Sequence, residues 1–174
     1  CLLSLAILAI SGNAFAEKAI LKPEKVATIT STEDSLKTRV LVYFKMPEKL
    51  KTAGITLDFA KLIFDASIAD SEYGQIDIFP VTTSWKDAGS ISWKGLWEKE
   101  GGDYSRDRAG KSVLLKQTKG KSRLRSNVTH IVQGRLYGVV DNKGLIIIAS
   151  YESESKEKVA SYSLFTEGVQ LLIH

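Results

Sequence analysis

Cysteine is nearly absent from this 174-residue chain: the single one is Cys1, so the rest has no thiol for disulfides, metal ligation or nucleophilic catalysis. Histidine is almost as scarce. His130 and His174 are the only two, neither belongs to an H-E-x-x-H spacing, and each reads as structural or terminal. No apolar run approaches the roughly 20 residues that cross a bilayer as a helix. Two apparent phosphate loops, Gly110 to Ser112 and Gly120 to Ser122, fail because the glycine required five residues earlier is Ser105 or Leu115. Phosphate-loop, zinc-protease and cysteine-nucleophile chemistry therefore have no sequence support, and stability must come from packing.

At the N-terminus, Leu2 to Ile10 is uncharged and apolar, Ser11 to Asn13 is polar, and Ala14-Phe15-Ala16 ends on small residues. That order predicts a secretory signal, with the sequence starting inside it and cleavage after Ala16. An acyl anchor on Cys1 fits less well, because an apolar run follows it directly. The expected division is residues 1–16 as signal and 17–174 as one domain, large enough to bury a sizeable core. The expected location is secreted, periplasmic or cell-surface, with no transmembrane segment in the mature chain.

Beyond the signal, hydrophobicity alternates. Val40, Val42, Phe44 and Met46 point one way and Arg39, Leu41, Tyr43 and Lys45 the other, the pattern of a half-buried strand closed by Pro47. Across Ile55 to Ile68, Ala60, Leu62, Phe64, Ala66 and Ile68 share one face, opposite Phe59, Lys61, Ile63 and Asp65. Further strands are expected at 19–21, 25–30, 75–81, 112–118, 144–151, 159–165 and 169–173. Val128, Ile131, Val132, Leu136 and Tyr137 recur at helical spacing, predicting a short helix over 127–137 with Ser126 or Asn127 as cap. Many short strands and one helix, with no helix-strand alternation, predict an all-β fold: a jelly-roll-like sandwich with one short helix.

Charge is uneven. Arg106, Arg108, Lys111, Lys116, Lys119, Lys121, Arg123 and Arg125 face only Asp107 in that stretch, giving it +7 and the rest of the chain −3 of the total +4. Such a field attracts polyanions and weakens with salt, since the Debye length is about 8 Å at physiological ionic strength. For an exported chain an acidic polysaccharide or anionic lipid is expected as partner ahead of nucleic acid.

Several islands, in order, resemble a known family. They are Arg39 to Phe44 with Pro47, Ile55 to Phe64, Phe79 to Trp85 leading into Ile91 to Trp93, Asn127 to Val132 before Asp141 to Leu145, and Tyr162-Ser163 with Val169 to Ile173. Together they resemble the DNRLRE-domain family of secreted β-sandwich modules, some of which are classed as carbohydrate-binding modules. The name-giving hexapeptide is absent, and Asn127 stands where aspartate is common. The resemblance implies a jelly-roll-like sandwich and a non-catalytic role at surfaces or glycans, and it carries over no binding residue.

Trp85, Trp93, Trp97 and Tyr104 cluster in a glycine-rich stretch, where exposed rings suit the apolar face of a sugar. For Trp85 and Trp93 the competing reading is that they plug the sandwich. The candidate ligand-binding set is Trp97, Tyr104, Arg106, Arg108, Lys121, Arg123 and Arg125; arginine forks pair bidentately with carboxylates or sulfates. For the basic residues the competing reading is a solvated strand pair protecting an edge. No cofactor is expected, although Asp65, Asp70, Glu72 and Asp77 are numerous enough to suggest a structural calcium. Two functions follow: a polysaccharide-binding module, or a structural or adhesive cell-surface protein without glycan affinity.

Overall fold

The computed structural model describes residues 18–31, 37–51, 55–69, 73–116, 120–150 and 162–174. The expected signal, Cys1, Asp70 and Glu72 lie outside them. Nine strands run in chain order: β1 (Ala19–Leu21), β2 (Lys25–Thr30), β3 (Thr38–Tyr43), β4 (Ala60–Ile68), β5 (Tyr73–Pro80), β6 (Val113–Lys116), β7 (Ser122–Asn127), β8 (Leu145–Ser150) and β9 (Tyr162–Ile173), with helix α1 (Thr129–Leu136) between β7 and β8. They form two antiparallel sheets, β1-β9-β4-β7 and β2-β3-β8-β5-β6. If β2 is set aside as a hairpin extension of β3, the remaining eight strands have the orders 1-8-3-6 and 2-7-4-5. That is the double Greek key of a jelly roll, so the all-β sandwich expected from the alternation is the fold observed.

The alternations dictate the packing. Val40, Val42 and Phe44 from the β3 region, Leu62 and Phe64 from β4, Ile76 and Ile78 from β5, Leu145 and Ile147 from β8, and Leu171 and Ile173 from β9 meet between the sheets. Each such side chain contributes about 1.5–3 kcal/mol by leaving water. Helix α1 closes one end, with Val128, Ile131 and Val132 in the same cluster.

The five-stranded sheet is not half-buried, as alternation in β3 suggested. Leu41, Ile29, Ile146 and Ile148 form a second cluster on its outer face with Val81 and Trp85. The cover is the long β5–β6 connection, residues 81–112. This accounts for the unbroken apolar run Leu145–Ile148: a strand covered on both faces has no reason to alternate.

Boundaries differ from expectation at several elements. The strand expected from Ile55 begins only at Ala60, because helix side chains satisfy the preceding backbone. Gln133 Oε1 accepts from the Leu57 amide at 2.7 Å, Gln133 Nε2 donates to the Ile55 carbonyl at 2.8 Å, and Thr129 Oγ1 accepts from the Ala60 amide at 2.8 Å. The helix starts later as well: Val128 occupies the cap position without a side-chain bond, while the Asn127 carboxamide accepts from the Thr129 amide at 2.9 Å. Finally, the two strands expected after residue 159 are one, β9, whose register against β4 shifts between Ile63 and Asp65. Gly168, at φ +71°, supplies the left-handed residue in the irregularity.

Candidate functional site

The connection over the outer face is ordered by one carboxylate. Asp103, 9% exposed, accepts from the Thr83 hydroxyl at 2.7 Å and from the Glu98 and Lys99 amides at 2.9 Å each. Its own carbonyl accepts from the Thr82 amide at 2.9 Å. Burial alone would raise the Asp103 carboxyl, but the Thr83 hydroxyl, the two amides and the Lys99 charge outweigh it and hold it below its ordinary value. The bonds fix the chain at both sides of the Trp93–Trp97 turn.

Beside this hub lies a cleft of about 450 Å³, lined by Arg39, Thr82, Glu98, Glu100, Tyr104 and Arg106 among others. The Tyr104 ring stacks on Phe79 with centroids 4.8 Å apart. The Arg39 and Arg106 guanidiniums lie 5.5 and 5.7 Å from the Tyr104 centroid, and Arg106 donates to its hydroxyl at 3.3 Å. Arg39 also lies 4.7 Å from the Trp93 ring and donates to the Gly101 carbonyl at 2.6 Å. Burial pulls the Arg39 guanidinium below its usual value, Tyr104 acts the other way, and Arg106 adds to the lowering. The cleft therefore combines an aromatic edge, two arginine forks, Lys99 and three carboxylates, Glu98, Glu100 and Asp103.

The expected site residues divide. Tyr104 and Arg106 come together here. Trp97 does not line the cleft: it is half-buried against the second cluster, and its Nε1 donates to the Ser92 carbonyl at 2.8 Å. Arg108 reaches toward Gly134 of α1. Arg123 and Arg125 belong to the other sheet, and Lys121 directly precedes its strand β7. Arg123 and Arg125 point outward from β7, opposite Asp65 and Ile63, with Arg123 paired to Asp65 at 3.1 Å. Lys121 Nζ lies 4.1 Å from the Phe165 centroid. The basic stretch is thus split between the two outer surfaces of the sandwich by the crossing from β6 to β7.

Of the other aromatics, Trp85 is fully buried and donates Nε1 to the Lys143 carbonyl at 2.8 Å. Trp93 is half-buried beneath Arg39. Of the suggested calcium set, Asp65 and Asp77 face outward from opposite sheets, and Asp77 accepts from Gln75 Nε2 at 2.9 Å and from the Ser112 hydroxyl at 2.5 Å. Among the described residues no group of three or more His, Cys, Asp or Glu side chains converges, and no helix is long and apolar enough to cross a membrane.

Arg39 and Asp103 were missed by sequence reasoning. A signal existed for Arg39: it precedes Leu41 and Tyr43 on one face of a strand, an odd place for a charge unless something receives it. Asp103 offered none, since its partners come from both sides of a loop. Compared with known proteins, the sequence matches no family model and no curated protein.

Proposed function

We propose that this protein is an exported, non-catalytic β-sandwich module that binds polysaccharide, including acidic polysaccharide, at or outside the cell surface. The observation that carries this reading is the Tyr104 cleft. Sugar recognition uses apolar ring surface beside planar polar groups for adjacent hydroxyls, and the Tyr104 edge with Arg39, Arg106, Glu98 and Glu100 supports that reading around one depression. The order of sequence islands resembling DNRLRE-domain modules points the same way. Export rests on the signal-like residues 1–16.

Affinity electrophoresis of the chain through gels containing neutral or uronate-rich glycans, at two salt concentrations, tests the reading. Retardation by at least one glycan, weakened in Arg106→Glu, is expected. Unimpeded migration through every glycan sinks the proposal. A structural or adhesive role has its own support: Ile20 on edge strand β1 is 59% exposed and Leu114 on edge strand β6 is 70% exposed, and exposed apolar edges suit strand-to-strand association. Concentration-dependent self-association without glycan retardation would favour that role.

A further inference from the structure

A second depression, of about 320 Å³, lies where the C-terminal end of β3 meets the end of α1, lined by Tyr43, Lys45, Met46, Lys86, Arg135 and Asn142 together with Lys51 and Leu136. It sits at the opposite end of β3 from Arg39, roughly 13 Å away along the strand at about 3.3 Å per residue. No acidic side chain lines it.

Charge compensation is uneven here. Lys86 is held by Glu24 at 2.7 Å and Lys51 by Glu48 at 2.7 Å. Lys45 is exposed and shares the field of Glu48, whose carboxylate is already paired with Lys51. Arg135 is only 8% exposed, and its Nη2 donates to the Gly144 carbonyl at 2.6 Å, but Nε and Nη1 have no hydrogen-bond partner. The carbonyl gives that cation a dipole, not a counter-charge. A guanidinium this far from water without an anion is among the costliest arrangements in a fold. Beside it the Asn142 amide donates Nδ2 to the Phe44 carbonyl at 2.8 Å, leaving the buried Oδ1 without a donor.

These two orphans specify complementary chemistry. The unpartnered Nη1 carries N–H donors that match an anionic oxygen such as a carboxylate's. The Asn142 oxygen requires an N–H or O–H. A bare sulfate satisfies the first and not the second, whereas a hydroxyl-bearing carboxylate satisfies both, and Tyr43, Met46 and Leu136 offer apolar surface to its carbon skeleton. We propose that this depression binds a single hydroxylated carboxylate, a uronic acid residue or a small sugar acid, with Arg135 and Lys45 on the carboxylate and Asn142 on a hydroxyl. The site is separate from the Tyr104 cleft and is tested separately.

Titration calorimetry of the full chain with D-galacturonate, galactose and inorganic sulfate is the experiment. Galacturonate is expected to bind, galactose to give no heat, and sulfate to bind at least about tenfold more weakly. Lys45→Glu, on an exposed side chain, should weaken galacturonate binding by about tenfold or more, while Arg106→Glu leaves it unchanged. Arg135→Met, checked for fold by near-ultraviolet circular dichroism, should abolish it; if that variant does not fold, Lys45→Glu decides. The proposal is overturned by absence of galacturonate binding, by undiminished binding in Lys45→Glu or folded Arg135→Met, or by sulfate or galactose binding as tightly. Because polymer retardation reads the Tyr104 cleft through Arg106, failure of either site leaves the other's result standing.

Discussion

Thr83 donates its hydroxyl to the Asp103 carboxylate at 2.7 Å, joining the start of the long β5–β6 connection to its return. Two backbone amides converge on the same carboxylate. Asp103→Ala strands all three donors in a poorly hydrated place, and a loss of about 2–4 kcal/mol is expected from denaturant unfolding followed by tryptophan fluorescence. The sign with pH follows from the lowered carboxyl. The folded protein releases this proton more readily than the unfolded chain, so the contribution is complete above the ordinary value of 3.8 and is lost as pH falls from there through the folded value. Asp103→Asn should flatten that acid limb, and an unchanged acid transition in the variant would contradict the assignment.

Gly144 has φ +91°, and a Cβ there would meet the Val42 carbonyl at 2.8 Å and Trp85 Nε1 at 2.9 Å. Neither neighbour can withdraw, since Val42 is central strand and Trp85 is fully buried. Gly144→Ala should therefore cost about 2–4 kcal/mol, combining left-handed strain with overpacking. A thermal midpoint within a degree or two of the parent would refute the close approach.

Arg135→Met addresses stability apart from binding. Burial lowers the guanidinium to about 10, chiefly by desolvation, with Tyr43 opposing, so it remains charged at neutral pH. The Gly144 carbonyl keeps the Val81 amide as a donor at 3.0 Å when Arg135 is removed. Replacing an unneutralised buried cation with an apolar chain of similar length is expected to leave stability within about 1 kcal/mol or raise it. A loss of several kcal/mol at pH 7 would show that the guanidinium is integral to the fold.

Reversal of Arg123 and Arg125 to Glu probes the surface opposite the Tyr104 cleft. Arg123 and Asp65 are partly exposed, and such a pair contributes only about 0–1 kcal/mol, so the fold should survive. Retardation by acidic polymers at low salt should fall, while galacturonate titration is unaffected. Unchanged polymer retardation would remove this surface from the binding account.

Strands were legible where the pleat had a strong apolar face, as in β4, whose inward row Ala60, Leu62, Phe64, Ala66 and Ile68 is buried as read. β7 has little signal in the sequence, because an edge strand of six residues sends only Ser122, Leu124 and Ser126 to the inside, two of them polar, with Arg123, Arg125 and Asn127 outward. The split of β9 arose from Gly168, which breaks the pattern without ending the strand. For the sites, residue type was legible but side was not. Which outer surface receives Arg106 and which receives Arg123 depends on the crossing between sheets, a long-range choice absent from local spacing. Arg135 did leave a trace, standing four residues after Ile131 on the buried stripe of α1, where a cation is unexpected.

The aromatic cluster on the outer face and the cluster between the sheets have no buried residue in common. Substitutions in the two should therefore combine almost additively where their side chains are more than about 7–10 Å apart. A chain so arranged can exchange the sequence of residues 86–102, and with it the ligand preference of that flank, while the double Greek key beneath keeps its own packing.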